Sequence, residues 1–146
     1  MLDSSGNVVS AISAGTTTNA VNYTWHVTKI TPDLESKLFD YSFGLANTKG
    51  YNGPRSMCKI GNFIFTGGAV TISTVNSQPY AVVMTLNESD LTIASAKNYN
   101  NLGKQIHNQC DEDNGVVYFS VNNYWNGYDM PIGTGHWNQI IRVPVD

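Results

Sequence analysis

The sequence predicts an all-β protein made of antiparallel strands. A unit of about 55 residues occurs three times, each copy with a Gly/Asn turn, an apolar strand, a polar loop and a second strand led by an aromatic residue. The strands are short, rich in β-branched and aromatic residues, and bounded by Gly, Asn, Asp or Pro. We therefore expect residues 1–146 to form one β unit, with copies over approximately 1–53, 54–104 and 105–146.

Each copy contains a turn that leads into an apolar strand. The three segments read GNVVSAI from Gly6, GNFIFTG from Gly61 and NGVVYFS from Asn114. Gly and Asn accept the positive φ that a tight hairpin turn requires. Alternation in these strands predicts that Phe63 and Phe65 share one face of a sheet, as Val117 and Phe119 do.

The second strand of each copy begins at Trp25, Tyr80 or Trp137. Aligning the copies on these rings predicts that Val27, Val82 and Ile140 are buried at corresponding sites. Lys29, which aligns with Met84 and Arg142, is expected on a solvent face because it varies between copies. The complete strand prediction is about 7–13, 25–30, 38–43, 56–60, 62–67, 80–86, 92–97, 106–110, 116–121 and 139–145.

These motifs together resemble the blade repeat of β-propellers from bacterial and phage surface proteins. The resemblance covers nearly the whole chain and is clearest from Ser56 to Tyr99. It implies blades of four antiparallel strands, with strands distributed three, four and three, and so fewer than three complete blades. Because closed propellers have about four blades or more, it also implies a longer chain or several copies in one ring. The alternative fold is a β-trefoil, which uses three repeats of this size.

Composition restricts the kind of partner. Only 13% of the residues are charged and the net charge is −3, without a cluster of Lys and Arg. These features argue against binding to nucleic acid or to an anionic membrane. No apolar run reaches the length of about 18 residues that membrane insertion requires. The profile, rich in Asn, Thr, Ser, Tyr and Gly, is typical of extracellular, cell-surface or virion β proteins.

The sequence predicts no metal site and no cofactor. Cys58 and Cys110 occupy matching places in the second and third copies, and a disulfide would require their Cα atoms to lie within about 7 Å. That question stays open, but two free, buried thiols are favoured. Residues 111–115 form an acidic segment that lacks the ligand spacing of an EF-hand loop.

We expect no catalytic residues and no enzymatic activity. His26, His107 and His136 lie in three different elements, without a nucleophile motif nearby. The opening segment also lacks the aspartate box of sialidase-type propellers. A glycan-active enzyme is therefore ranked last among the functions considered.

One loop has the composition of a contact surface. Large aromatic residues and a histidine lie among small polar residues, and the ones expected to bind a partner are Tyr124, Trp125, Tyr128, His136 and Trp137. Such residues suit sugar stacking or a protein interface. The alternative is that Trp125 and Trp137 fill the gap to a neighbouring blade.

The function that fits the whole chain best is a non-enzymatic structural or binding segment that mediates assembly or adhesion. Its partners would be other blades or subunits of the same assembly. The first alternative is a glycan-binding lectin, for which a glycan would be the partner.

Overall fold

The computed structural model describes residues 1–16, 21–43, 53–71, 79–99, 105–122 and 138–144. These residues are all-β and include no helix, as the sequence predicted. All the predicted strands are confirmed, with shifts of a few residues at their ends. They are β1 (Val8–Thr16), β2 (Val21–Ile30), β3 (Lys37–Phe43), β4 (Gly53–Ile60), β5 (Phe63–Thr71), β6 (Pro79–Asn87), β7 (Ile93–Tyr99), β8 (Gln105–Asp113), β9 (Val116–Asn122) and β10 (Asn138–Pro144).

The strands form three antiparallel sheets. The first sheet has the order β1-β2-β3, the central sheet β4-β5-β6-β7, and the third sheet β10-β9-β8. Two hairpins turn through two residues each, at 61–62 and 114–115. Asn114 and Gly115 both have positive φ, 49° and 75°, which the right-handed twist of a hairpin favours at such turns. The described residues do not close into a barrel.

The central sheet is covered on both faces. Ile64, Met84 and Leu86 lie on one face and pack against Val9 and Val27 of the first sheet. The opposite face presents Phe65, Ala81 and Val83 to the third sheet, which contributes Val117 and Phe119. The expected alternation is thus confirmed, since Ile64 and Phe65 belong to different layers of the core.

The register of the sheets corrects one predicted correspondence. The β2–β3 pairing shifts register between Lys29 and Ile30. The β6–β7 pairing shifts at the corresponding position, between Thr85 and Leu86. Turns of equal length follow, 31–36 and 87–92, each closed by a 2.9 Å backbone hydrogen bond from its first amide to its last carbonyl. The counterpart of Val27 is therefore Val83.

Val82 was predicted to be that counterpart, but it lies on the opposite face and is half-buried. The aromatic residue at the start of the second strand does not mark the same structural position in each repeat, because Ala81 rather than Tyr80 corresponds to Trp25. An error of one residue reverses the face of every side chain in a strand. The exposures agree with the corrected register, since Val27 and Val83 are 0% and 2% exposed.

Ile140 corresponds to Val83, but the prediction that it is buried is wrong. The hairpins β4–β5 and β8–β9 have the same two-residue turn, so Gly67 corresponds to Ser120. Gly67 pairs with Val83, and Ser120 pairs with Ile140. Ile140 is nevertheless 70% exposed, because it points away from the central sheet and no described residue covers that face.

The two cysteines form a disulfide, which corrects the expectation of free thiols. Cys58 on β4 and Cys110 on β8 have Cα atoms 5.8 Å apart, inside the range that a disulfide requires. Phe65, beside Cys58, faces Phe119, beside Cys110, across the same core layer. The disulfide therefore joins the central and third sheets.

Candidate functional site

The predicted contact residues Tyr124, Trp125, Tyr128, His136 and Trp137 lie outside the described residues. β9 ends at Asn122 and β10 begins at Asn138, on either side of this segment. The assignment of these residues to a contact surface stays a prediction.

A buried ion pair lies at the junction of the first and central sheets. Lys29 Nζ is 2.9 Å from Asp3 Oδ2, and both side chains are almost completely buried. Lys29 also donates hydrogen bonds to two main-chain carbonyls of the central sheet's turn, those of Glu88 and Ser89. The expectation that Lys29 faces solvent is wrong, because its ammonium group is held between the two sheets.

The Asp3 carboxylate forms hydrogen bonds with residues of its own turn and an ion pair with Lys29. Its carboxylate accepts hydrogen bonds from the Ser5 amide at 2.9 Å, the Asn7 amide at 2.8 Å and the Asn7 side chain at 2.9 Å. Burial raises the pKa of Asp3, but the hydrogen bonds from Lys29, Asn7 and Ser5 outweigh it and hold the pKa well below its usual range. Asp3 is therefore ionised at neutral pH.

Glu88 is a second buried carboxylate beside this ion pair, and Asp3, Lys29 and Glu88 together form a polar cluster. Its carboxylate accepts hydrogen bonds from the Ser4 amide and from the Ser4 hydroxyl, the latter at 3.1 Å, and lies 3.4 Å from Lys59 Nζ. Burial raises the pKa of Glu88, but the bonds from Ser4 and the Lys59 ammonium lower it more. Glu88 thereby ties the N-terminal segment to the central sheet.

This cluster borders a cleft of about 620 Å³ between the two sheets. Phe39 and Phe63 provide aromatic surface, and three asparagines provide amides. The lining residues are Asp3, Ser4, Ser5, Asn7, Lys29, Leu38, Phe39, Asn62, Phe63, Asn87, Glu88 and Ser89. Because both carboxylates have lowered pKa values, they are poor proton donors and weak bases at neutral pH. The lining suits hydrogen bonding to a neutral polar ligand better than acid–base chemistry.

The cluster could have been found from the sequence by strict alternation. Trp25, Val27 and Lys29 occupy every second position of β2, so the rule that places Val27 inside places Lys29 there too. A lysine on a buried face requires a carboxylate or carbonyl partner. Nothing in the sequence indicates that Asp3 of the same repeat supplies the carboxylate, or that Glu88 and Ser89 of the next repeat supply the carbonyls.

The outer faces of the two end sheets form the other candidate surface. Ile12, which pairs with His26 on the first sheet, is 53% exposed. His26 lies within hydrogen-bond distance of the Ser42 hydroxyl, at 3.0 Å from Nδ1. On the third sheet the exposed residues Ile140 and Arg142 share the outer face with Tyr118 and Ser120, their cross-strand partners. Both faces thus mix apolar and polar side chains, as protein interfaces do.

The described residues include no group of three or more His, Cys, Asp or Glu that could hold a metal ion. Within the same ranges there is also no helix that is long and apolar enough to cross a membrane.

Compared with protein-family models, curated proteins and solved structures, the chain matches none of them.

Proposed function

We propose that the chain is a non-enzymatic structural or binding segment of a cell-surface or virion protein, and that it mediates assembly or adhesion through its end sheets. We further propose that the three sheets are propeller-like blades. The arrangement of three, four and three strands, with sheets stacked face to face, supports this architecture. The Cys58–Cys110 disulfide supports an oxidising, extracellular location.

One observation carries the assembly role. At the register position where the first and central sheets bury Val27 and Val83, the third sheet exposes Ile140. Because Ile140 is equivalent to two core residues but is exposed, we infer that another sheet covers this face in an assembly. Burial of such a side chain contributes about 1.5 to 3 kcal/mol.

Ile140→Asp tests the role directly. The substitution should weaken self-association or partner binding at least about tenfold in sedimentation velocity, because a carboxylate would replace a methyl surface in the interface. Ile93→Asp is the matched control, since Ile93 is also an exposed strand isoleucine but lies on β7 of the central sheet. Equal effects of both substitutions would argue against a role for the end face.

The Trp125→Ala and Tyr128→Ala pair tests the predicted contact loop separately. We expect this double variant to keep the fold and to weaken association with a glycan or a neighbouring subunit at least about tenfold. If the double variant instead unfolds, these rings belong to the core.

Glycan binding is the second candidate function, and the cleft between the first and central sheets favours it. Phe39 and Phe63 offer aromatic surface beside the amides of Asn62 and Asn87, a combination that suits sugar rings and hydroxyl groups. Titration calorimetry with neutral oligosaccharides would test it, with Asn62→Ala as the cleft variant. Asn98→Ala on β7, an exposed asparagine of the same sheet, is the control.

A further inference from the structure

The contact between Lys29 and the central sheet shows how one sheet of this protein engages the next. Lys29 lies on the face of the first sheet that covers the central sheet, and its Nζ donates to the carbonyls of Glu88 and Ser89. These carbonyls belong to the 87–92 turn between β6 and β7. A cation on one sheet thus docks into the turn of its neighbour.

Arg142 occupies the same position in the third sheet. Lys29 pairs with Val9, and Arg142 pairs with Tyr118. In the central sheet the equivalent pair is Phe65 and Thr85. The equivalence follows from the matching turns at 31–36 and 87–92 and from the matching two-residue turns at 61–62 and 114–115. Arg142 is exposed on the outer face and forms no ion pair with another described residue.

The matching acceptor lies at the opposite end of the molecule. The 31–36 turn of the first sheet is the counterpart of the 87–92 turn, so Pro32 and Asp33 take the positions of Glu88 and Ser89. Pro32 and Asp33 are exposed. The Thr31 hydroxyl and the Glu35 amide donate to the Asp33 carboxylate, which lowers the pKa of Asp33 and keeps it negative.

The apolar residues of the two end faces follow the same repeat. Val8 and Ile30, which pair with each other on the outer face of the first sheet, correspond to the fully buried pair Ile64 and Leu86. Ile140, on the outer face of the third sheet, corresponds to Val83, which lies on the face of the central sheet that packs against the third sheet. The two end faces therefore carry complementary halves of the contact that the sheets inside the chain already make.

We propose that the occupant of these faces is a second copy of this chain, stacked head to tail so that Arg142 of one copy docks against the 31–36 turn of the next. This inference rests on the proposed assembly role. The interface is heterologous, because two different faces meet, so repeated addition gives a closed ring or an open filament. Arg142 supplies the charge and the donors, and Asp33 supplies the opposite charge.

Sedimentation velocity of the full chain over about a hundredfold range of concentration tests the proposal. The wild-type chain should associate as concentration rises. Arg142→Asp and Asp33→Arg should each weaken association at least about tenfold, because each places like charges in contact. The double variant, in which the charges are exchanged, should recover most of the loss. Arg55→Asp, the same change at an exposed site on β4, should associate as the wild type does.

The outcomes separate the two proposals. Association that is unchanged by Arg142→Asp would overturn the head-to-tail contact and leave the assembly role in place. A chain that stays monomeric at every concentration and binds no other protein would overturn both. Circular dichroism and thermal unfolding of each variant establish that the fold is intact, so that loss of association reports on the contact.

Discussion

Lys29 and Asp3 form a buried ion pair with 2.9 Å between Nζ and Oδ2. Because Lys29 also donates to carbonyls of the 87–92 turn, the pair anchors the N-terminal segment, the first sheet and the central sheet at one point. Glu88 extends the same connection through Ser4. The polar cluster is therefore expected to determine how firmly these two sheets are joined.

Lys29→Met should lower the free energy of unfolding by about 3 kcal/mol or more, because it leaves the Asp3 carboxylate buried without its cation. Urea unfolding followed by tryptophan fluorescence measures the loss. The Lys29→Met and Asp3→Asn double variant should be more stable than Lys29→Met alone. A loss below about 0.5 kcal/mol for Lys29→Met would mean that the pair is not buried as described.

The protein should lose stability in acid. The folded-state pKa values of Asp3 and Glu88 lie below their ordinary values of 3.8 and 4.5, so the unfolded chain binds more protons in this range. Their contribution is complete above the ordinary values and is lost as the pH falls below them. Urea unfolding at a series of pH values should show this decline. Glu88→Gln should reduce its slope, and an unchanged slope would exclude Glu88 as a source.

Removal of the disulfide should destabilise the protein by about 4 kcal/mol in the chain-entropy account, given the separation of 52 residues between Cys58 and Cys110. The Cys58→Ser and Cys110→Ser double variant, compared with the oxidised wild type in urea, measures this. Treatment of the wild type with a reductant should produce a similar change, whereas the double variant should not respond to it. Equal stability of wild type and double variant would show that the bond does not form.

Val83→Asp should unfold the protein or cost several kcal/mol, since the carboxylate would lie in the layer with Phe65 and Phe119. Ile140→Asp, at the equivalent register position, should leave the thermal stability of the isolated chain nearly unchanged. Thermal unfolding of the two variants side by side tests the register. Similar losses at both positions would show that Ile140 is covered within a single chain.

Gly68→Ala should destabilise the junction of the first and central sheets by about 1 to 3 kcal/mol. A Cβ atom at Gly68 would lie 2.6 Å from Cζ2 of the Trp25 ring and closer still to the Gly53 carbonyl oxygen. Thermal unfolding measures the effect. A second substitution, Trp25→Phe, should make the additional cost of Gly68→Ala smaller by removing one of the two clashes. An equal cost in both backgrounds would show that the ring does not limit the space.

The strands were predictable because their signals are local. Alternating apolar residues between Gly/Asn turns predict β1 and β5 without knowledge of the remaining chain. The face of Val82 was not predicted correctly, because the alignment used Tyr80 as a landmark and a one-residue error reverses the face. The Cys58–Cys110 bond and the Asp3–Lys29–Glu88 cluster join different repeats, and the sequence does not show how repeats stack.

The central claim is that the two end faces of this chain cover each other in an assembly. Hydrogen exchange measured at low and high protein concentration tests it most directly, because it reports on β1 and β10 in the same sample. We predict that amides of both strands exchange more slowly at high concentration, and that Arg142→Asp removes this protection. Exchange of β1 and β10 that is independent of concentration in the wild-type chain would contradict the claim.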